Sequence, residues 1–284
     1  MLHTEGNRRI MLVSLFQVGY GDDECPAART ARIVEQLERA AHADLIVLPE
    51  LWVQGAFAYD IWDAEPDFPQ SPTIRTLAEV AKRRNFWLHC GTFIEAASDD
   101  ERGPEGRGLW NTAVLVSPEG EVRLTYRKIH RFGFGAGEAQ LIEAGNQLAV
   151  TEVVSRRVAI PVGLATCYDL RFPEMFRSLG QAGVELVIVA AAWPEARVEH
   201  WKLLGRARAV ENQMWVLQCN TSGDHRGLTM AGHSQVIAPT GEVVGELGAE
   251  AGVLSVEIDI GLVGKTREDF PVLRDRRAIA WVPY

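Results

Sequence analysis

Three side chains capable of acyl-transfer chemistry end apolar, strand-like runs in this 284-residue chain. Glu50 closes ADLIVLPE, Lys128 closes VRLTYRK and Cys167 closes GLATC. Strand ends in α/β architectures are where clefts open and reactive groups project. Taken singly, each has an ordinary reading: a solvated or capping glutamate, a surface lysine, an inert buried thiol. Taken together they fit one reaction. A thiol is a nucleophile only as thiolate, with an unperturbed pKa near ~8.5, so it needs a base within reach and a positive neighbour. Glu50 can take the thiol proton and later deliver it to a leaving amine. Lys128 can stay charged and stabilise the oxyanion of a tetrahedral intermediate. The backbone N–H of Tyr168, which directly follows the thiol, is a second oxyanion donor. This is the logic of a serine-protease triad with other residue types.

The other fates of Cys167 lose ground on counting. The four cysteines, Cys25, Cys90, Cys167 and Cys219, are far apart and form no CxxC. That argues against a zinc cluster, and four in a chain this long make no disulfide framework. His225 and His233 in DHRGLTMAGHS are isolated and read as loop residues rather than metal ligands. GFGAG, residues 133–137, lacks the lysine and hydroxyl residue that end a phosphate loop. Arg171 is expected to fix its loop through Asp169 in preference to touching a substrate carboxylate.

The elements that must position these groups alternate between strand and helix patterns. Ile10–Gln17 reads as a first buried strand. CPAARTARIVEQLERAAHA has helical spacing with Pro26 near its start. SPTIRTLAEVAKRRN opens with Ser71 as N-cap and Pro72 at the first helical position. FWLHCGTFIE is a strand, and NTAVLVSPEGEVRLTYRK a hairpin turning at PEGE. RVAIPVGLATC and VELVIVAAAWPE read as strands around the helix PEMFRSLGQAG. ARVEHWKLLGRARAVENQ is a helix and MWVLQCN a strand. The polar stretch at residues 95–108 is a surface loop, and no linker composition divides the chain, so residues 1–284 read as one domain. DLIVLPELW echoes ELVIVAAAWPE, and NTAVLVSPEGEV echoes HSQVIAPTGEV. Two such halves suggest two sheets face to face with helices outside, a four-layer α-β-β-α sandwich in the α/β class.

A formal net charge of -9 and a pI near 5.4 oppose nucleic-acid or anionic-membrane binding. No run reaches the ~18 apolar residues of a membrane span. The N-terminus places arginines before a short apolar run, but Gln17 interrupts it and no small-residue cleavage site follows. A cytoplasmic location is the expectation.

LPELW, YRKIH and CYDLRFPE, in this order, resemble the three signatures of the nitrilase superfamily, the carbon–nitrogen hydrolases. AAAWPEAR, HWKLLGRARAVENQ, QCNTSG, GHSQVIAPTGEV and FPVLRDRR extend the likeness over nearly the whole chain. The resemblance implies the α-β-β-α sandwich, a Glu-Lys-Cys site of Glu50, Lys128 and Cys167, no metal and no organic cofactor. It implies a homodimer or larger homo-oligomer. It makes His130 a structural residue rather than half of a Cys–His pair. It also implies a second glutamate before the cysteine. Glu138 fits by its distance to Gly145, with Glu143 as the rival, and would orient Lys128 and keep it protonated. Trp193 of AAAWPEAR falls at the substrate site. After Glu50 the family often has glycine followed by tyrosine, whereas this chain has GAFAYD, so Phe57 or Tyr59 fills that place beside the acyl pocket.

The family spans nitrilases, amidases, carbamoylases and acyltransferases. True nitrilases commonly carry CWE at the nucleophile, and this chain carries CYD. The expected activity is therefore hydrolysis of a small aliphatic primary amide through a cysteine thioester, as in aliphatic amidases and ω-amidases. A nitrilase or N-carbamoyl amide hydrolase is the alternative within enzymes, and a non-catalytic ligand or partner binder the alternative outside them. The same logic expects Cys167 to be alkylated faster than the other three cysteines.

Overall fold

The computed structural model describes residues 9–60, 62, 68–97, 103–133 and 136–277. The residues before Arg9, part of the polar loop at 95–108 and part of the glycine-rich loop at 133–137 lie outside the described residues.

The first half runs β1 (Ile10–Gln17), α1 (Pro26–Arg39), β2 (Leu45–Val47), α2 (Pro72–Arg84), β3 (Trp87–Ala96), β4 (Leu109–Val116) and β5 (Val122–Arg127). A short helix, α3 (Glu138–Leu141), and β6 (Ala149–Ser155) lead to the second half. That half runs β7 (Val158–Thr166), α4 (Pro173–Gln181), β8 (Leu186–Ala190), α5 (Val198–Asn212) and β9 (Trp215–Cys219). A small hairpin of β10 (Ser222–His225) and β11 (Leu228–Ala231) follows, then β12 (Gln235–Ile237), β13 (Val243–Glu246), β14 (Gly252–Asp259) and α6 (Gly261–Asp269).

Among the described residues the larger strands form two six-stranded sheets, ordered β14-β1-β2-β3-β4-β5 and β13-β12-β9-β8-β7-β6. The two halves repeat one plan. β1, β2 and β3 are parallel, as are β7, β8 and β9. Each triplet is joined by two helices and then extended by two antiparallel strands, β4–β5 in one sheet and β12–β13 in the other. Even the far edges correspond, with β14 antiparallel to β1 and β6 antiparallel to β7. The echoes in the sequence are thus β2 with β8, and the β4–β5 turn with the β12–β13 turn.

Burial explains why the short parallel strands carry no polar alternation. In β2, Leu45 and Val47 point into the cluster between the sheets, while Ile46 and the following Leu48 point into the cluster under the helices. Ile33 and Leu37 of α1 and Ile74, Leu77 and Val80 of α2 fill that second cluster. In the other half, Phe176 and Leu179 of α4 and Trp201 and Ala209 of α5 cover β7, β8 and β9. Both faces of the parallel triplets are dry, and each buried Leu, Ile or Val contributes about 1.5–3 kcal/mol. Helices therefore flank two face-to-face sheets in a four-layer α-β-β-α sandwich.

Local signals set the helix starts. Ser71 caps α2 by accepting from the Ile74 N–H at 3.2 Å, and Asn85 ends it in the left-handed region. Pro26, Pro72 and Pro173 each stand at a helix start, where a missing N–H costs nothing. No helix among the described residues is long and apolar enough to cross a membrane.

Candidate active site

The strands stop slightly before the reactive residues. β2 ends at Val47, so Glu50 lies in the turn beyond it. Lys128 stands one residue past β5 and Cys167 one residue past β7. The first two come from one sheet and the third from the other, so the site spans the seam between the halves.

Glu50 and Lys128 meet inside the protein. Lys128 Nζ donates to Glu50 Oε1 at 2.7 Å and to both oxygens of Glu138, at 2.9 and 2.8 Å. All three are buried. Further donors fill the acceptor sites of Glu138 and leave one on Glu50 Oε2. Asn111 Nδ2 donates to Glu50 Oε1 and to Glu138 Oε1, each at 2.9 Å. The Ala192 N–H donates to Glu50 Oε2 at 2.9 Å, and the Phe132 N–H to Glu138 Oε2 at 2.6 Å. Burial opposes the Lys128 charge, but the Glu138 and Glu50 carboxylates outweigh it and hold the ammonium well above its usual range. Burial raises Glu138, and the like charge of Glu50 adds to this against the pull of Lys128. Glu143 is elsewhere: its carboxylate accepts the N–H groups of Glu105 and Arg107 at 3.1 and 2.7 Å. Of the two rivals, only Glu138 touches Lys128.

Close backbone packing brings these groups together. The Lys128 N–H donates to the Asn111 carbonyl at 2.8 Å, so the β4–β5 ladder places Asn111 beside the lysine. The Gly145 N–H donates to the Lys128 carbonyl at 2.8 Å, and a Cβ on Gly145 would lie 2.0 Å from the Arg127 carbonyl oxygen. The spacing from Glu138 to Gly145 thus has a physical basis: the chain after Glu138 must lie directly against the end of β5. Arg127 anchors that end through Glu95, at 2.7 and 3.1 Å, and by stacking over Trp110 at 3.8 Å.

Cys167 opens a 3-10 turn, Cys167–Arg171, with φ +44. That left-handed conformation is strained for a non-glycine residue and must be held by its surroundings. Asp169 does so from a fully buried position. It accepts from the Thr166 N–H at 2.9 Å, the Tyr126 hydroxyl at 2.7 Å and the His130 N–H at 2.9 Å, and its Oδ1 lies 2.8 Å from His130 Nδ1. The His130 ring also stacks on Phe172 at 3.6 Å. His130 is therefore structural.

Cys167 is 8% exposed. Burial and then the adjacent Glu50 charge push it well above the ordinary thiol range, and Lys128 opposes them. That environment favours the protonated thiol, with the Glu50 carboxylate beside it. Cys25 is the exposed cysteine, and Cys90, Cys167 and Cys219 are buried.

These groups line one narrow, partly open cleft. Glu50, Lys128, Glu138 and Cys167 lie there with Phe57, Tyr59, Tyr168 and Trp193, so all eight residues singled out in the sequence converge. Phe57 meets Tyr59 and Phe132 edge-on, at 6.1 and 6.4 Å. Burial, reinforced by the Glu138 charge, pushes the Tyr59 phenol up to about 12, leaving it a hydrogen-bond donor at neutral pH.

The sequence reading missed Asn111, whose signal was a polar residue heading the apolar run NTAVLV. It also missed Arg197, which lines the cleft on the turn before α5. Its expectation for Arg171 is corrected. Asp169 is satisfied by other donors, and Arg171 instead lines the cleft, stacks over Trp193 at 4.6 Å and lies 3.3 Å from His200 Nδ1. His225 and His233 lie beside Asp22 and Glu246, at 2.9 and 2.8 Å. No cluster able to hold a metal occurs among the described residues.

A family model described as carbon-nitrogen hydrolase matches residues 12–268. A 2-oxoglutaramate amidase of Paenarthrobacter nicotinovorans is 41% identical over 274 residues, covering 95% of this chain and 90% of that protein. A 2-oxoglutaramate amidase of Bacillus subtilis (strain 168) is 33% identical over 264 residues, covering 92% and 95%. Among solved structures, a CN-hydrolase superfamily protein from Xanthomonas campestris, described with an arsenic adduct in its active site, superposes with a TM-score of 0.83. It is 27% identical and covers 96% of this chain and 99% of that one.

Proposed function

The chain belongs to the carbon–nitrogen hydrolase family of the nitrilase superfamily, and on that premise we propose that it hydrolyses the ω-amide of a short, carboxylate-bearing acyl chain, such as 2-oxoglutaramate, to the acid and ammonia. The observation that carries this reading is the convergence of a thiol, a carboxylate and a charged lysine in one buried cleft with an arginine at its mouth. The names of the two amidase relatives support the same substrate class.

In this mechanism Cys167 Sγ attacks the amide carbonyl while Glu50 takes the thiol proton. The oxyanion is met by Lys128 Nζ and the Tyr168 N–H. Collapse breaks the C–N bond, Glu50 returns the proton to the departing nitrogen, and ammonia leaves a thioester on Cys167. Water then adds to the thioester as Glu50 takes its proton. The second collapse expels the thiol, which recovers that proton, and the acid departs. Glu138 and Asn111 touch no reacting atom in this scheme; they fix Lys128 and Glu50. Phe57, Tyr59 and Trp193 wall the acyl chain, and Arg171 receives its carboxylate as a two-pronged donor.

The test is ammonia release from 2-oxoglutaramate, propionamide, an N-carbamoyl amine and a nitrile, with Cys167→Ala as control. Cysteine-dependent release, greatest from 2-oxoglutaramate, is expected. Release from the nitrile or carbamoyl compound alone would replace the substrate assignment, and a Cys167→Ala protein with full turnover would end the mechanism.

A further inference from the structure

The cleft is electrically divided. At its floor the Glu50 and Glu138 carboxylates are bound by Lys128. At its mouth stand two guanidiniums from different elements, Arg171 on the nucleophile's turn and Arg197 before α5. Arg9, Arg32, Arg83, Arg127 and Arg131 each sit against a carboxylate, and Arg84, Arg177, Arg206 and Arg267 donate to backbone carbonyls. Among the described residues, neither Arg171 nor Arg197 has such a partner. Arg171 lies over Trp193 beside His200, and Arg197 is 5.8 Å from the centre of the Phe132 ring. The two feel each other: burial lowers Arg171 below the usual arginine range, and the Arg197 charge adds to this against the opposing pull of Tyr168. In a chain of net charge -9, two mutually repelling guanidiniums without carboxylate partners at one cleft mouth make an anion receptor.

One carboxylate is satisfied by one guanidinium fork, two N–H groups to two oxygens. A second fork at the same end therefore needs a second acceptor close to that carboxylate. In an acyl chain small enough for this cleft, the carbonyl oxygen of a 2-oxo acid is such an acceptor. An ammonium there would meet two positive charges and no acid.

We propose that Arg197 is a specificity-determining residue that forms a two-arginine clamp with Arg171, Arg171 holding the carboxylate and Arg197 the adjacent 2-oxo oxygen. The clamp rests on the ω-amide reading above and adds the group that selects oxo acids over plain acids. Arg197 is exposed at the rim and its contact with Phe132 is long, so it is free to close on a ligand.

The test compares kcat/KM for 2-oxoglutaramate, glutaramate and pentanamide in the unaltered enzyme and in Arg171→Met, Arg197→Met and Arg197→Lys. In Arg197→Met the preference for 2-oxoglutaramate over glutaramate falls about 10-fold, as for loss of one charge-assisted hydrogen bond, and the fall lies mainly in KM. Arg197→Lys keeps the charge without the fork and falls between. Arg171→Met instead lowers the preference for glutaramate over pentanamide. A parallel fall on all three amides in Arg197→Met would show a structural role and overturn the clamp, as would an unchanged oxo preference. If the unaltered enzyme did not prefer glutaramate to pentanamide, the carboxylate reading itself would fall. If that preference were present and sensitive to Arg171→Met while Arg197→Met kept the oxo preference, only the clamp would fall.

Discussion

In the proposed mechanism Cys167 is a nucleophile kept in its unreactive form. Burial and the Glu50 charge favour its proton staying in place, and that carboxylate is the group proposed to remove it. Alkylation of Cys167 by iodoacetamide should therefore keep rising with pH past ~8.5, the ordinary thiol pKa. A plateau near pH 6–7, read by peptide mass spectrometry, would instead indicate a resident thiolate. The same burial raises Cys90 and Cys219. A thiol whose folded pKa lies above its unfolded value contributes stability that is present below ~8.5 and is lost as pH rises toward the folded value. Each such thiol costs up to about 1.4 kcal/mol per pH unit in that window, so denaturant midpoints should decline above pH 8.5. Glu138 is the complementary case, since its charge keeps a buried ammonium in place. Glu138→Gln leaves Lys128 with Glu50 alone and frees it to move from the oxyanion position. The expected loss is on the order of 10²-fold in kcat, and an unchanged kcat would place Glu138 outside the reaction.

At the scale of elements, two signals deserve separation by mutation because one serves the helix and the other the site. Ser71 caps α2 and does not line the cleft, so Ser71→Ala should cost about 1 kcal/mol of stability and leave kcat intact. Gly145 has no cap to lose, but an added Cβ would press on the Arg127 carbonyl next to Lys128. Gly145→Ala should displace the end of β5 and lower kcat at least 10-fold, since misplacements near 1 Å can cost more than that. Equal kcat in both variants would mean the loop does not position the lysine. These local signals also mark what was readable in advance. β1, the Ser71–Pro72 start and the PEGE turn were legible because each is fixed by residues adjacent in sequence. β6 and β14 were not assigned, because edge strands with partly exposed alternation become strands only by pairing with β7 and β1. Asn111 and Arg197 escaped for the same reason, since their partners or cleft neighbours lie on other elements. Glu50, Lys128 and Cys167 were legible because their neighbouring residues form motifs; their meeting point was not, because two of them sit in one sheet and the third in the other.

That division governs the whole molecule. Either sheet alone would carry part of the chemistry: Glu50, Asn111 and Lys128 on one, Cys167 and Ala192 on the other. The cluster between them joins Leu15, Val47 and Leu115 of the first sheet to Val162, Leu164 and Leu217 of the second without an intervening polar layer. Separating the halves would expose this apolar surface and break the bond from the Ala192 N–H to Glu50. The halves should therefore unfold together, in one transition, despite their repeated plan. Leu164→Ala, at a fully buried position in that cluster, should cost about 2–5 kcal/mol. It should move the loss of amidase activity and the loss of far-UV ellipticity to lower temperature by the same amount. Activity vanishing well before the ellipticity would show that the seam opens while each half stays folded, and the single cooperative unit would have to be abandoned.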